Sequence, residues 1–260
     1  MDALGRGSAI LSTVSTMVPS PLRLGSRMHP ARTIAVALAI LAAIAVAPAR
    51  ASEGPQPAPL PDVALPDAAR AQPFPQVFGT TETAGSSLAA FRRWGGVIER
   101  SIHEWIGYGD PCSSRLAGRC TTGEWRQLVA RLSDKPRRER IDKVNSFFNR
   151  IPYVVDASNW GVADYWATPL QFLSRAGDCE DYAIAKYVTL RQLGFASDEM
   201  RIVVLDDTNL RVPHAILTVA DGDRLLVLDN QIPDVVDSKR ILHYKAIYSI
   251  NENRWWLHKK

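Results

Sequence analysis

In the C-terminal third, apolar residues come in short β-branched bursts. MRIVVLDD (200–207), HAILTVA (214–220) and RLLVLDN (224–230) predict strands. Asp221-Gly222 between the last two predicts a tight hairpin. A further strand is predicted near Ala246–Ile250. Upstream the period becomes helical. Leu88, Phe91, Trp94, Ile98, Ile102 and Trp105 recur three or four residues apart, interrupted by Gly95-Gly96. GEWRQLVARL (123–132) and RRERIDKVNSFFNR (137–150) predict two more helices, the second with Pro136 near its first turn. Thr168-Pro169 is an N-cap and first-turn pair for a short helix through Arg175. A fifth helix is predicted from about Cys179 to Leu193, stopped by Gly194. Helices first and strands after predict an α+β domain with an antiparallel sheet covered by helices.

The N-terminal pattern is of another kind. Ile34–Ala47 is an unbroken apolar run of 14 residues, preceded by Arg32 and followed by Ala49-Arg50-Ala51. This is the layout of a secretory signal peptide with cleavage after Ala51 and translation starting at Met28. The run is short for a membrane span, which needs about 20 residues; an uncleaved anchor is the alternative. Prolines at 55, 57, 59, 61, 66, 73 and 75 predict a flexible leader over 52–80. The folded domain is then 81–260.

Charge modifies the picture little. The chain of 260 residues has a net charge of +4, but five arginines and one acid lie within residues 1–51, leaving 26 basic and 26 acidic residues in 52–260. That balance gives no support to a nucleic-acid-binding surface. The 3 cysteines are too few for a Cys-rich zinc module. In an oxidising compartment Cys112 and Cys120, close together in YGDPCSSRLAGRC, are plausible disulfide partners. Cys179 is then left as a free thiol, either reactive or buried and inert.

Three positions bear chemistry. Cys179 opens a helix, where the dipole favours thiolate. His214 opens one hairpin strand and Asp229 closes the other, which makes them neighbours if the turn is short. An Asp so placed would orient the imidazole of a Cys–His–Asp triad. Asp178, Glu180 and Asp181 oppose thiolate formation by like charge. They read either as oxygen ligands for calcium or as an N-cap and first-turn acids.

The segment NWGVADYWATPLQFLSRAGDCEDYAIAKYVTLRQLGF (159–195), with HAILTV (214–219) and LLVLDN (225–230), resembles the bacterial transglutaminase-like cysteine proteinases. The resemblance implies a papain-like, transglutaminase-like fold, with a nucleophile helix packed on an antiparallel sheet. It implies Cys179 as nucleophile, His214 as general base and acid, and Asp229 as orienter. It also implies calcium beside the active site, held by Asp178, Glu180 and Asp181. Trp160 and Trp166 are candidates for a second oxyanion donor, besides a packing role. The resemblance also implies the activity of a periplasmic endopeptidase. It implies as substrate the N-terminal region of a large surface adhesin, cut to control biofilm attachment, and as regulator an inner-membrane cyclic di-GMP receptor. A protein transglutaminase and a non-catalytic envelope-binding module are the alternatives.

Overall fold

A computed structural model describes residues 73–106, 112 and 115–260. The expected export signal and most of the Pro-rich leader lie outside the described residues, as do the side chains of Ile102 and Trp105. The elements run β1 (Thr81–Gly85), α1 (Arg92–Ile106), α2 (Thr121–Leu132), α3 (Arg137–Phe148), α4 (Asp156–Asn159), α5 (Pro169–Arg175) and α6 (Cys179–Gln192). There follow β2 (Met200–Asp207), β3 (Val212–Asp221), β4 (Arg224–Leu228), β5 (Val236–Asp237), β6 (Tyr244–Ile250) and β7 (Trp255–Lys259). The architecture is α+β. The strands form one antiparallel sheet in the order β1-β7-β6-β2-β3-β4-β5.

The strand bursts read as nearly continuous apolar runs because both faces of the central sheet are buried. Met200, Ile202, Leu217, Val219, Leu226 and Leu228 face the helices. Val203, Leu205, Ile216, Leu225 and Val227 pack on the opposite side with Val77, Ile241 and Tyr244. The segment ahead of β1 thus serves as a cover, and Arg201 pins it. Its guanidinium lies between the rings of Phe74 and Trp256 and pairs with Glu82 of β1 at 2.7 Å.

The hairpin β3–β4 turns at Gly222-Asp223, with Asp221 opposite Arg224 and Gly222 at a φ of 65°. Positive φ at the first loop residue is what a two-residue hairpin demands. Thr168 caps α5 as a capping box. Its Oγ1 accepts from the Gln171 main-chain N–H at 3.2 Å, and Gln171 Oε1 accepts from the Thr168 N–H at 3.0 Å. Cys112 and Cys120 are joined as a disulfide just before α2. Helix α6 is buried nearly all round, its polar Glu180, Asp181, Lys186 and Thr189 included. Tyr182, Ile184, Tyr187 and Leu190 sink into the helix-side core, and Thr189 Oγ1 accepts from Trp125 Nε1 of α2 at 2.8 Å. Among the described residues no helix is long and apolar enough to cross a membrane.

Candidate active site

The first residue of α6 is Cys179, and the chain leading to it is held from several sides. Val154 donates its N–H to Gly177 O at 2.9 Å, and Asn159 Nδ2 donates to Ala176 O at 3.1 Å. Asp181, one turn into the helix, accepts from Ala167 N at 2.7 Å and from Asp178 N at 3.3 Å. These bonds hold Cys179, half-buried, at the start of the helix.

His214 sits in β3 beyond the reach of the β4 ladder, which stops at Leu228 opposite Leu217. The chain leaves the ladder at Asp229, and its carboxylate bridges to the imidazole: Oδ1 lies 2.9 Å from Nε2. Both side chains are buried, at 3% and 1% exposure. Oδ1 also accepts from Gln231 N at 2.8 Å, and Oδ2 accepts from Tyr244 OH at 2.6 Å. Asn149 Nδ2 clamps the Asp229 main-chain oxygen at 2.7 Å. Burial works to raise the pKa of Asp229. The bond and charge of His214, with the bonds from Tyr244 and Gln231, outweigh it and hold the carboxyl below its ordinary pKa. Asp229 therefore stays ionised and keeps the Nε2–H tautomer, leaving Nδ1 as the nitrogen free for proton transfer.

Cys179, His214 and Ala215 line one cleft of about 310 Å³ together with Trp166, Asp178 and Glu180. The thiol donates to Glu180 Oε2 at 3.2 Å. Its pKa is pushed far up, first by burial and then by the charges of Glu180 and Asp178; the Ala215 N–H, directed at the sulfur, works the other way. Trp166 lines the cleft; Trp160 does not, its ring tilted against Tyr165 with the centroids 4.3 Å apart and Arg175 over its face.

The acidic residues divide. Asp156, Asp178 and Glu180 present oxygens within 4.8 Å of one another. Asp181 does not join them, because both its oxygens are taken by main-chain N–H groups of the helix end. Asp156, from α4, stands in its place. Its Oδ2 accepts from Tyr165 N, while Asp156 Oδ1 and Asp178 Oδ1 are buried without a hydrogen-bond partner. Burial, then the charges of Asp178 and Asp181, push Glu180 up to about 9; Asp156 and Asp178 are also raised, burial being the first cause in each. Three crowded carboxylates with unmatched buried oxygens fit a hard divalent cation such as calcium. The sequence offers no local sign of Asp156, since YVVDASNW carries no ligand spacing to the acids 22 residues on. Gln231 and Tyr244 are equally unmarked, although Gln231 directly follows LVLDN.

Comparison with known proteins places this geometry. Residues 99–258 match the family "Bacterial transglutaminase-like cysteine proteinase BTLCP". The structure of calcium-bound LapG from Legionella pneumophila is similar, at 31% identity with a TM-score of 0.51, covering 62% of this chain and 87% of that one. The EGTA-treated LapG of the same organism aligns with the same identity and TM-score over 63% of this chain and 86% of that one. No curated protein matches in sequence. The chain belongs to the bacterial transglutaminase-like cysteine proteinases and is a cysteine peptidase of the transglutaminase-like type.

Proposed function

We propose that this peptidase is a calcium-dependent endopeptidase of the periplasm that cleaves the N-terminal region of a large surface adhesin and so controls biofilm attachment. The observation that carries the reading is a free cysteine at a helix N-terminus sharing one cleft with a buried His214–Asp229 pair, in a chain similar to LapG.

In this reading His214 Nδ1 takes the Cys179 thiol proton as Sγ attacks the scissile carbonyl. The developing oxyanion is met by the Cys179 main-chain N–H at the start of α6. The C–N bond breaks as His214 hands its proton to the leaving amine, and a thioester remains on the sulfur. His214 then draws a proton from water, which attacks the thioester and frees the enzyme. Asp229 orients the imidazole through both steps. Asp156, Asp178 and Glu180 would hold calcium, which supplies the positive charge that lets three carboxylates stay ionised beside a thiolate. The regulator, by the same resemblance, is an inner-membrane receptor for cyclic di-GMP that sequesters the protease.

The test is incubation of the purified protein with N-terminal fragments of adhesins encoded nearby. Wild type should cleave in calcium, excess EGTA should abolish cleavage, and added calcium should restore it. Cys179→Ala should be inert. Equal cleavage by Cys179→Ala would overturn the reading, and incorporation of a lysine amine into the product in place of hydrolysis would convert it to a transglutaminase.

A further inference from the structure

The chain from 229 to 235, between β4 and β5, joins no strand ladder, yet it carries the carboxylate of the triad. Its main-chain carbonyls find their donors on α3 instead. Asn149 Nδ2, at the C-cap of α3, donates to Asp229 O at 2.7 Å and to Ile232 O at 3.3 Å. Asn145 Nδ2 donates to Pro233 O at 3.0 Å, and Arg138 Nη2 to Val235 O at 3.0 Å. The three side chains stand seven and four residues apart, which puts them in one stripe down the helix. The adjacent stripe of Ile141, Val144 and Phe148 enters the core. Both amides are used for donation alone: Asn145 Oδ1 and Asn149 Oδ1 are buried without a hydrogen-bond partner. A buried unmatched acceptor costs stability, so packing alone would favour an apolar side chain at either place. What the two asparagines add is a hold on the loop.

We propose that this stripe of α3 splints the triad, with Asn149 as its positioning residue: it fixes the main chain at Asp229, so that the carboxylate meets His214 Nε2 at the observed 2.9 Å. This rests on the peptidase reading and adds residues to it. Arg138, Asn145 and Asn149 do not line the cleft and act only through Asp229. The carboxylate itself is tied elsewhere, to Tyr244 on β6 and to its own loop at Gln231 N. Those ties hold the head of the side chain; α3 holds the backbone from which it hangs. Without Asn149 the loop is free to shift by a fraction of an ångström, and the imidazole that takes its direction from Asp229 shifts with it. Small errors of that kind at a catalytic group cost rate rather than binding.

The experiment is amide hydrogen exchange in the full chain, with initial rates beside it. Asn149→Leu removes the two donated bonds and the unmatched oxygen together, so the fold should survive. Exchange of the Gln231 N–H should quicken about tenfold, the size of one lost hydrogen bond, while the amides of β2 and β3 exchange as in the wild type. A general loss of stability would quicken both. On a fragment that the wild type cleaves, kcat should fall about tenfold with KM unchanged. Asn149→Asp, of the same shape but turning an oxygen toward both carbonyls, should do at least as much. Arg138→Met, at a side chain 45% exposed and so safe for folding, should quicken exchange in the loop from its far end. Ser146→Ala, on the exposed side of the same helix, should change nothing. Loop exchange unaltered in Asn149→Leu and Arg138→Met would overturn the proposal, and so would quickened exchange with kcat intact. The exchange measurement involves no substrate, so failure of the peptidase reading would appear separately, as absent cleavage by the wild type.

Discussion

Two turns down α6 from Cys179, Lys186 lies fully buried, its Nζ without a hydrogen bond and 5.8 Å from the centre of the Tyr182 ring. Burial lowers its pKa to about 7, with Asp229 the charge that pulls the other way. The folded value is depressed below the unfolded one, so folding disfavours the ammonium. The penalty is full below about pH 7 and fades as pH rises toward the unfolded value. Lys186→Met keeps the shape and removes the charge. It should stabilise the fold by about 3–5 kcal/mol at pH 6 and by almost nothing above about pH 10.5, read by urea denaturation at the two pH values. The sequence places Lys186 on a helix but carries no sign of this burial. Cys179, His214 and Asp229 were legible because each bears chemistry at the end of a recognisable element. Asp156, Gln231 and Tyr244 were not, because their roles exist only through neighbours distant in sequence.

At the level of elements, the turn into α6 depends on a glycine. Ala176 takes a φ of 65°, and a Cβ added at Gly177 would lie 2.0 Å from Asp181 Oδ2. That carboxylate ties Ala167 and Asp178 to the helix end and cannot withdraw without breaking both bonds. Gly177→Ala should destabilise the protein by roughly 2–4 kcal/mol, from overpacking and lost buried hydrogen bonds. It should also lower kcat on any cleaved substrate, since Cys179 is two residues on; denaturation midpoints and initial rates check the two parts. Helices α2, α3, α5 and α6 and strands β2–β4 follow from period, caps and turn residues. The edge strands do not. β1 is TETAG, mostly exposed and without an apolar face, and β5 is two residues long. WWLHK forms β7 only because β1 and β6 flank it. Such strands are specified by the sheet they join rather than by their own pattern.

For the whole molecule, the acidic cluster links folding to pH and, if it holds the calcium proposed for it, to metal. Glu180 stands at about 9 and Asp181 at about 8, burial being the first cause in both, and Asp156 and Asp178 are raised as well. A carboxyl whose folded pKa is raised favours folding while protonated. That stability is fully present below the unfolded value near 4.5 for Glu180 and is lost as pH rises through the folded value. Lys186 works in the opposite direction between about pH 7 and 10.5, so the raw melting temperature mixes two trends. If the cluster holds calcium as proposed, the calcium-induced increment isolates the carboxylates, because the cation would bind their ionised form and leave the lysine alone. At a hundredfold excess over Kd, binding adds about 2.7 kcal/mol. For a domain of this size that is about 5–10 °C. Melting in calcium against EGTA should give an increment that is small at pH 5, where protons compete for the same oxygens, and that grows toward pH 8–9. Asp156→Asn should shrink it at every pH, whereas Asp181→Asn should lower both melting curves and leave their difference largely intact. An increment that did not depend on pH, or that survived Asp156→Asn undiminished, would place the metal away from α4 and the start of α6.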